Sequence, residues 1–287
     1  DSLARGLIWA SLWDSTRDGE LSASDYINIA INTLKGETDI SMITATFMQI
    51  ETAIWAYVAP KNRDAIRLAV ANAAEALLDG AKPGSDAQLQ YARAFTNNAI
   101  TPAHYERVKA MLNGSVDGLV MDTDLRWYFL IALTERGATT KAELDAELAK
   151  DNTTSGNIAF ETCLAAMPNN EAKAYAFNKV LNEDIVTSMR SALIAGFQRP
   201  IQRELLEPFV NLYFDNLINA WESKSYEGAA KYVSGFYPTW IVKQSTVDAT
   251  NAWLNGAGKD SPAVLRKLVK ESQDGLIRAL KVQALDR

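Results

Sequence analysis

The sequence predicts an all-α fold, a superhelical stack of helical hairpins. Apolar residues recur at three- and four-residue spacings in nearly every segment, the period of a helix with one buried face. Short alternating runs rich in Val, Ile and Thr, the mark of half-buried strands, are missing. Helix-start chemistry returns at a near-regular interval, as it does where one supersecondary unit is repeated.

Taken in order, Leu3, Leu7, Ile8 and Leu12 form a first helical stripe, and Arg5, Trp9, Trp13 and Arg17 recur every four residues along the same segment. Ser22 to Asp25 give a capping start to the stripe of Ile27, Ile31 and Leu34, with a polar break at 36–39. Pro60 precedes a start at Asp64, whose helix carries Ile66, Val70 and Leu77 and stops at a Gly-containing break over 80–85. Thr101-Pro102 places Pro at the first helical position, and a break follows at 114–122. Residues 125–133 are apolar on nearly all sides, which predicts a helix surrounded by neighbours in the middle of the stack. Thr140 and Glu143 have the spacing of a capping box. Further starts fall near 169, 200 and 238, and Pro208 should kink or divide the long pattern at 201–221.

The starts near 22, 61, 101 and 140 are about 39 or 40 residues apart, with two helical patterns between successive starts. Each unit therefore reads as a helical hairpin of HEAT- or armadillo-like length, and the whole as an α-solenoid with a concave face. No Ser/Gly/Pro-rich linker divides the chain, so residues 1–287 are expected to be a single domain.

Composition narrows the function. At 48% apolar and 22% charged, the 287 residues exclude collagen-like, disulfide-framework and disordered classes. The apolar runs at 53–59 and 127–133 reach seven residues, against the roughly 20 a membrane span needs, so no membrane partner is expected. A net charge of −6 without a Lys/Arg cluster argues against nucleic acid. The single Cys163 favours a reducing compartment, hence a cytoplasmic setting, and the missing initiator Met reads as an excised piece of a longer chain.

One histidine, His104, is too few for an H-E-x-x-H zinc site, and Cys163 sits in an apolar stretch expected to bury it as an inert thiol. No metal-ligand set, phosphate loop or nucleophile elbow is present, so catalytic and metal residues are expected to be none and the chain to be inactive alone. Two places could contact a peptide, the row on the first helix and the turn at 196–200. Arg5, Trp9, Trp13 and Arg17 form one row on a helix, in which guanidinium groups can lie over indoles or simply snorkel while the Trp pair packs. Arg126 stands beside Asp122 and Asp124 at a helix start, and Gln198 lies in the helix-ending Gly196-Phe197-Gln198-Arg199-Pro200.

Several strings occur together in order: Asp1-Ser2-Leu3-Ala4-Arg5, Trp9, Leu12-Trp13-Asp14 and Thr16-Arg17-Asp18; Asp124-Leu125-Arg126-Trp127 with Gly137; Lys173-Ala174; Gly196-Phe197-Gln198; Tyr237-Pro238. This set resembles the C-terminal helical domain of the aminopeptidase N family of zinc metallopeptidases, membrane alanyl aminopeptidase-like exopeptidases, in its actinobacterial form. The resemblance implies a bowl-shaped domain that encloses the active-site chamber of an upstream catalytic domain and contacts the peptide substrate. The zinc ligands and the G-A-M-E-N motif of that family belong to the catalytic domain, so the resemblance assigns no cofactor here and zinc to the parent. Implied partners are the parent's catalytic domain and a peptide, with Arg5, Trp9, Trp13, Arg17, Arg126 and Gln198 as substrate-binding candidates. The rival expectation is a free-standing helical-repeat scaffold that binds a protein.

Overall fold

The computed structural model describes residues 2–286, with backbone alone for Ser2; Asp1 and Arg287 lie outside the described residues. Sixteen α-helices and no strand occur among them, as the periodicity predicts. The chain groups into two compact units, Asp1–Asp122 with Arg278–Arg287, and Thr123–Ile277.

The first unit contains α1 (Ser2–Asp18), α2 (Ala23–Thr33), α3 (Ile40–Thr52) running into a π-turn at Ala53–Tyr57, α4 (Arg63–Asp79), α5 (Asp86–Asn98) and α6 (Pro102–Leu112). Ser22 caps α2 by accepting from the Asp25 amide, Ser85 caps α5, and Thr101 caps α6 ahead of Pro102. Helix α4 packs on α5, α2 on α4 and α3 on α5, so neighbours and next-but-one neighbours share one core. Tyr26, Ile27, Ile50, Val70 and Phe95 lie fully buried between them.

The second unit contains α7 (Thr123–Thr134), α8 (Lys141–Lys150), α9 (Thr154–Ala166), α10 (Asn170–Asn182), α11 (Thr187–Phe197), α12 (Arg203–Leu206), α13 (Phe209–Ser223), α14 (Tyr226–Gly235), α15 (Gln244–Asn255) and the first part of α16 (Ala263–Leu285). The Thr140–Glu143 capping box forms as the spacing predicts. Pro208 divides the 201–221 pattern, with α12 before it and α13 after it. Here α7 packs on α9, α9 on α11 and α13 on α15. Phe177, Phe197, Phe209 and Phe236 form one aromatic cluster, with ring centroids 4.9–6.1 Å apart.

Two expectations change. The start near 238 moves to Gln244, because the Pro238 carbonyl accepts from the Ile241 amide in a turn before α15. In α1 the helix forms, but it turns the half-buried Trp9 and Trp13 inward onto Tyr26, and Leu3, Leu7 and Ile8 are exposed.

Candidate functional site

The first cluster of candidate residues is the row on α1. Arg5 donates through Nε and Nη2 to the two carboxylate oxygens of Glu37, at 3.0 and 3.1 Å. Glu37 also accepts from the Thr38 and Asp39 amides, and these bonds, led by that of Arg5, hold its carboxyl down at about 2 despite burial. Trp9 meets Tyr26 edge-on at 6.2 Å, and Trp13 packs on Tyr26 at 5.4 Å and on Tyr57 at 5.9 Å. Arg17 approaches Asp14, one turn back, at 3.9 Å. The four residues lie along α1, and each has a partner within this unit. Beside them runs a groove of about 410 Å³ between α1 and α3, bordered by Leu7, Trp9, Met42 and Ala45.

In the other unit, Arg126 makes a two-pronged pair with Glu147, its Nη2 at 2.7 Å, and Lys150 joins the same carboxylate at 3.1 Å. This holds the Glu147 carboxyl below the usual carboxylate range. The neighbouring Trp127 indole donates to Asp151 at 2.8 Å, so both side chains tie α7 to the end of α8.

Gln198 follows the last turn of α11. Its amide nitrogen donates to the carbonyls of Gly235 and Tyr237 at 2.8 and 3.0 Å, while its Oε1 is buried without a hydrogen-bond partner. The residue borders a hollow of about 760 Å³, walled chiefly by Ile194, Ala195, Ala230, Tyr226 and Trp240. Size and apolar lining fit a bulky organic group or side chain.

Sequence reasoning missed the polar junction behind this turn. Lys173, fully buried, donates to the carbonyls of Ala165, Gly196 and Phe197 at 2.9, 3.0 and 3.1 Å, at the C-terminal ends of α9 and α11. Gln202 donates to the carbonyls of Ala166 and Glu135, so the end of α7 joins the same junction. Orphan carbonyls of three helices are thereby satisfied by two side chains. The available signal was a lysine on the inner face of α10, in register with Ala172, Ala176, Phe177 and Val180.

Among the described residues no group of three or more His, Cys, Asp or Glu could hold a metal ion. His104 Nδ1 accepts from the Ile100 amide and its ring packs on Phe95, while burial pushes the Cys163 thiol up to about 12. No helix among the described residues is long and apolar enough to cross a membrane.

Residues 1–278 match the family model of the ERAP1-like C-terminal domain. Over 289 aligned positions the chain is 40% identical to the C-terminal part of an aminopeptidase N from Streptomyces lividans. That alignment covers 100% of this chain and 34% of the relative, so the chain spans about a third of that protein's length.

Proposed function

The chain belongs to the family of ERAP1-like C-terminal domains, and from that membership we propose that it is the non-catalytic C-terminal domain of a zinc-dependent aminopeptidase acting in the cytoplasm. In this reading zinc and the bond-breaking groups reside in an upstream catalytic domain, and this domain encloses the chamber and contacts the peptide away from the scissile bond. The observation that carries it is the asymmetry of coverage: all of this chain aligns, but only the final third of the relative is used. A helical stack suits enclosure, because it supplies walls and contacts around a reaction carried out by another domain.

Within this proposal the six candidates serve differently. Trp9 and Gln198 border hollows, where a peptide side chain would meet largely apolar walls. Arg5 and Arg126 have their guanidinium forks engaged by Glu37 and Glu147, so a peptide would meet their outer edges. Trp13 supports the row from within, and Arg17 is held only by a long contact to Asp14. The test is to express the parent enzyme with and without this domain and assay a long peptide and a single-residue aminoacyl reporter. The proposal expects zinc and hydrolysis to depend on the upstream part, and long-peptide cleavage to suffer more from the deletion. A parent frame without an H-E-x-x-H segment would instead leave a free-standing scaffold.

A further inference from the structure

Helix α1 exposes its largest aliphatic side chains. Leu3, Leu7 and Ile8 are 71%, 64% and 60% exposed. Leu3 and Leu7 line the groove that Gly6, Ala10, Met42 and Ala45 continue between the two helices, and Ile8 extends the exposed apolar surface of α1 next to Leu7. The exposure is uneven along α1. Its first two turns carry Leu3, Ala4, Leu7 and Ile8 on the outer side, whereas the later turns carry Ser11, Asp14 and Asp18 there. Scattered apolar residues need no explanation, but a continuous patch on one end of one helix marks a surface that is covered.

We propose that this end of α1, with the α1–α3 groove, is the docking surface for the apolar face of a segment lying N-terminal to this domain in its parent polypeptide. The proposal rests on the reading of the chain as the C-terminal domain of a longer enzyme. The occupant follows from two observations. The relative's remaining length precedes the region that this chain matches. The apolar residues occupy the N-terminal half of α1, the half nearest the point where such a segment joins, and the acidic half lies beyond it. A short connection keeps the effective concentration of such a neighbour high, so a modest patch suffices to hold it.

The experiment uses the intact parent enzyme, with the photo-crosslinker p-benzoylphenylalanine placed at position 8 and, separately, at position 18. The proposal expects irradiation to join position 8 to a peptide upstream of this domain, with much lower yield from position 18. Crosslinks from position 8 only within this domain or to a second copy, or equal yields at both positions, would overturn it. In parallel, Leu7→Asp should speed proteolytic nicking between this domain and the upstream part by about tenfold or more, while Leu7→Met leaves the rate unchanged. Unchanged nicking in Leu7→Asp overturns the proposal as well. Zinc content and reporter hydrolysis are measured on the same preparations. An active zinc enzyme that gives no upstream crosslink removes the docking surface alone, whereas a parent without zinc or activity removes the functional reading.

Discussion

The Lys173 ammonium donates to the carbonyl oxygen of Phe197 at 3.1 Å and lies 5.9 Å from the centroid of the same residue's ring. One cation thus engages both the end of α11 and the aromatic cluster beneath it. Its two other bonds reach Gly196 and Ala165, so it fastens α9 to α11 where both present the negative ends of their dipoles. Without this donor the carbonyls of Ala165, Gly196 and Phe197 would lose a buried hydrogen-bond partner, whichever protonation state the nitrogen holds. Lys173→Met, which keeps the stem and removes the donor, should therefore lower stability by about 2 to 4 kcal/mol. Chemical denaturation measures this, and a variant as stable as the parent sequence would mean that ion burial wins.

The same residue gives stability a pH dependence. Burial, and secondarily Arg199, lower the Lys173 pKa from 10.5 to about 7, so above pH 7 the unfolded chain binds more protons at this site than the folded one. Stability should rise with pH between about 7 and 10 on its account. Near the upper end buried Tyr26, Tyr213 and Tyr232, whose pKa values are raised by burial, begin to act in the opposite direction. Melting curves across this range should show a rise that Lys173→Met lacks. Identical profiles for the two proteins would count against it.

Glu37 works with the opposite sign. Its folded pKa, held at about 2 chiefly by the Arg5 bond, lies below the ordinary glutamate value of 4.5, so its contribution is complete above pH 4.5 and is lost as pH falls through 2. Hydrogen exchange at the Thr38 and Asp39 amides, which Glu37 accepts, should quicken over that interval beyond the intrinsic trend. Glu37→Gln should show the faster exchange already at neutral pH.

Two glycines should respond oppositely to alanine. A Cβ on Gly196 would lie 2.4 Å from the Thr162 carbonyl oxygen and 2.6 Å from the Ala165 side chain, forcing α9 and α11 apart. Gly196→Ala should cost about 1 to 3 kcal/mol. Gly6, in the interior of α1, has nothing within 4 Å of its Cβ position, and Gly6→Ala should add about 0.5 to 1 kcal/mol. Thermal melting of the pair checks the assignment of close packing to one and open space to the other.

Helix existence was legible because caps and periodicity are local: Ser22, Thr101 and Thr140 each sit where their chemistry places them. Which face of α1 goes inward was not, because its aliphatic and tryptophan stripes are rivals, and tertiary contacts with Tyr26 and Tyr57 decide between them. The strings that carry the family resemblance turn out to fasten helix ends. Gly137, at φ 69°, closes the turn after α7; Lys173, Gly196 and Phe197 meet at one junction; and Gln198 reaches the Tyr237 carbonyl. Pairing over such separations leaves no periodic trace, so the junction could not be read before the fold was known.

The last prediction separates recognition from support at Arg17 and Arg126. Arg17, with its side chain 40% exposed, has a contact to Asp14 at 3.9 Å, too long for a strong pair, so Arg17→Ala should leave the melting temperature nearly unchanged. Arg126 is different, because Glu147 is 6% exposed at the side chain and would lose its two-pronged partner, keeping only Lys150. Arg126→Ala should destabilise by about 1 to 3 kcal/mol. If Arg17 contacts peptide residues remote from the scissile bond, its loss should lower kcat/KM of the parent enzyme for a long peptide by about tenfold and leave a single-residue reporter untouched, since the reporter does not extend to this domain. Arg126→Ala should lower both only as far as its melting temperature falls below the assay range. Equal losses on the two substrates for Arg17→Ala would assign it to the scaffold. A substrate-selective loss for Arg126→Ala at unchanged stability would show that its outer edge, and not the Glu147 pair, is what the enzyme uses.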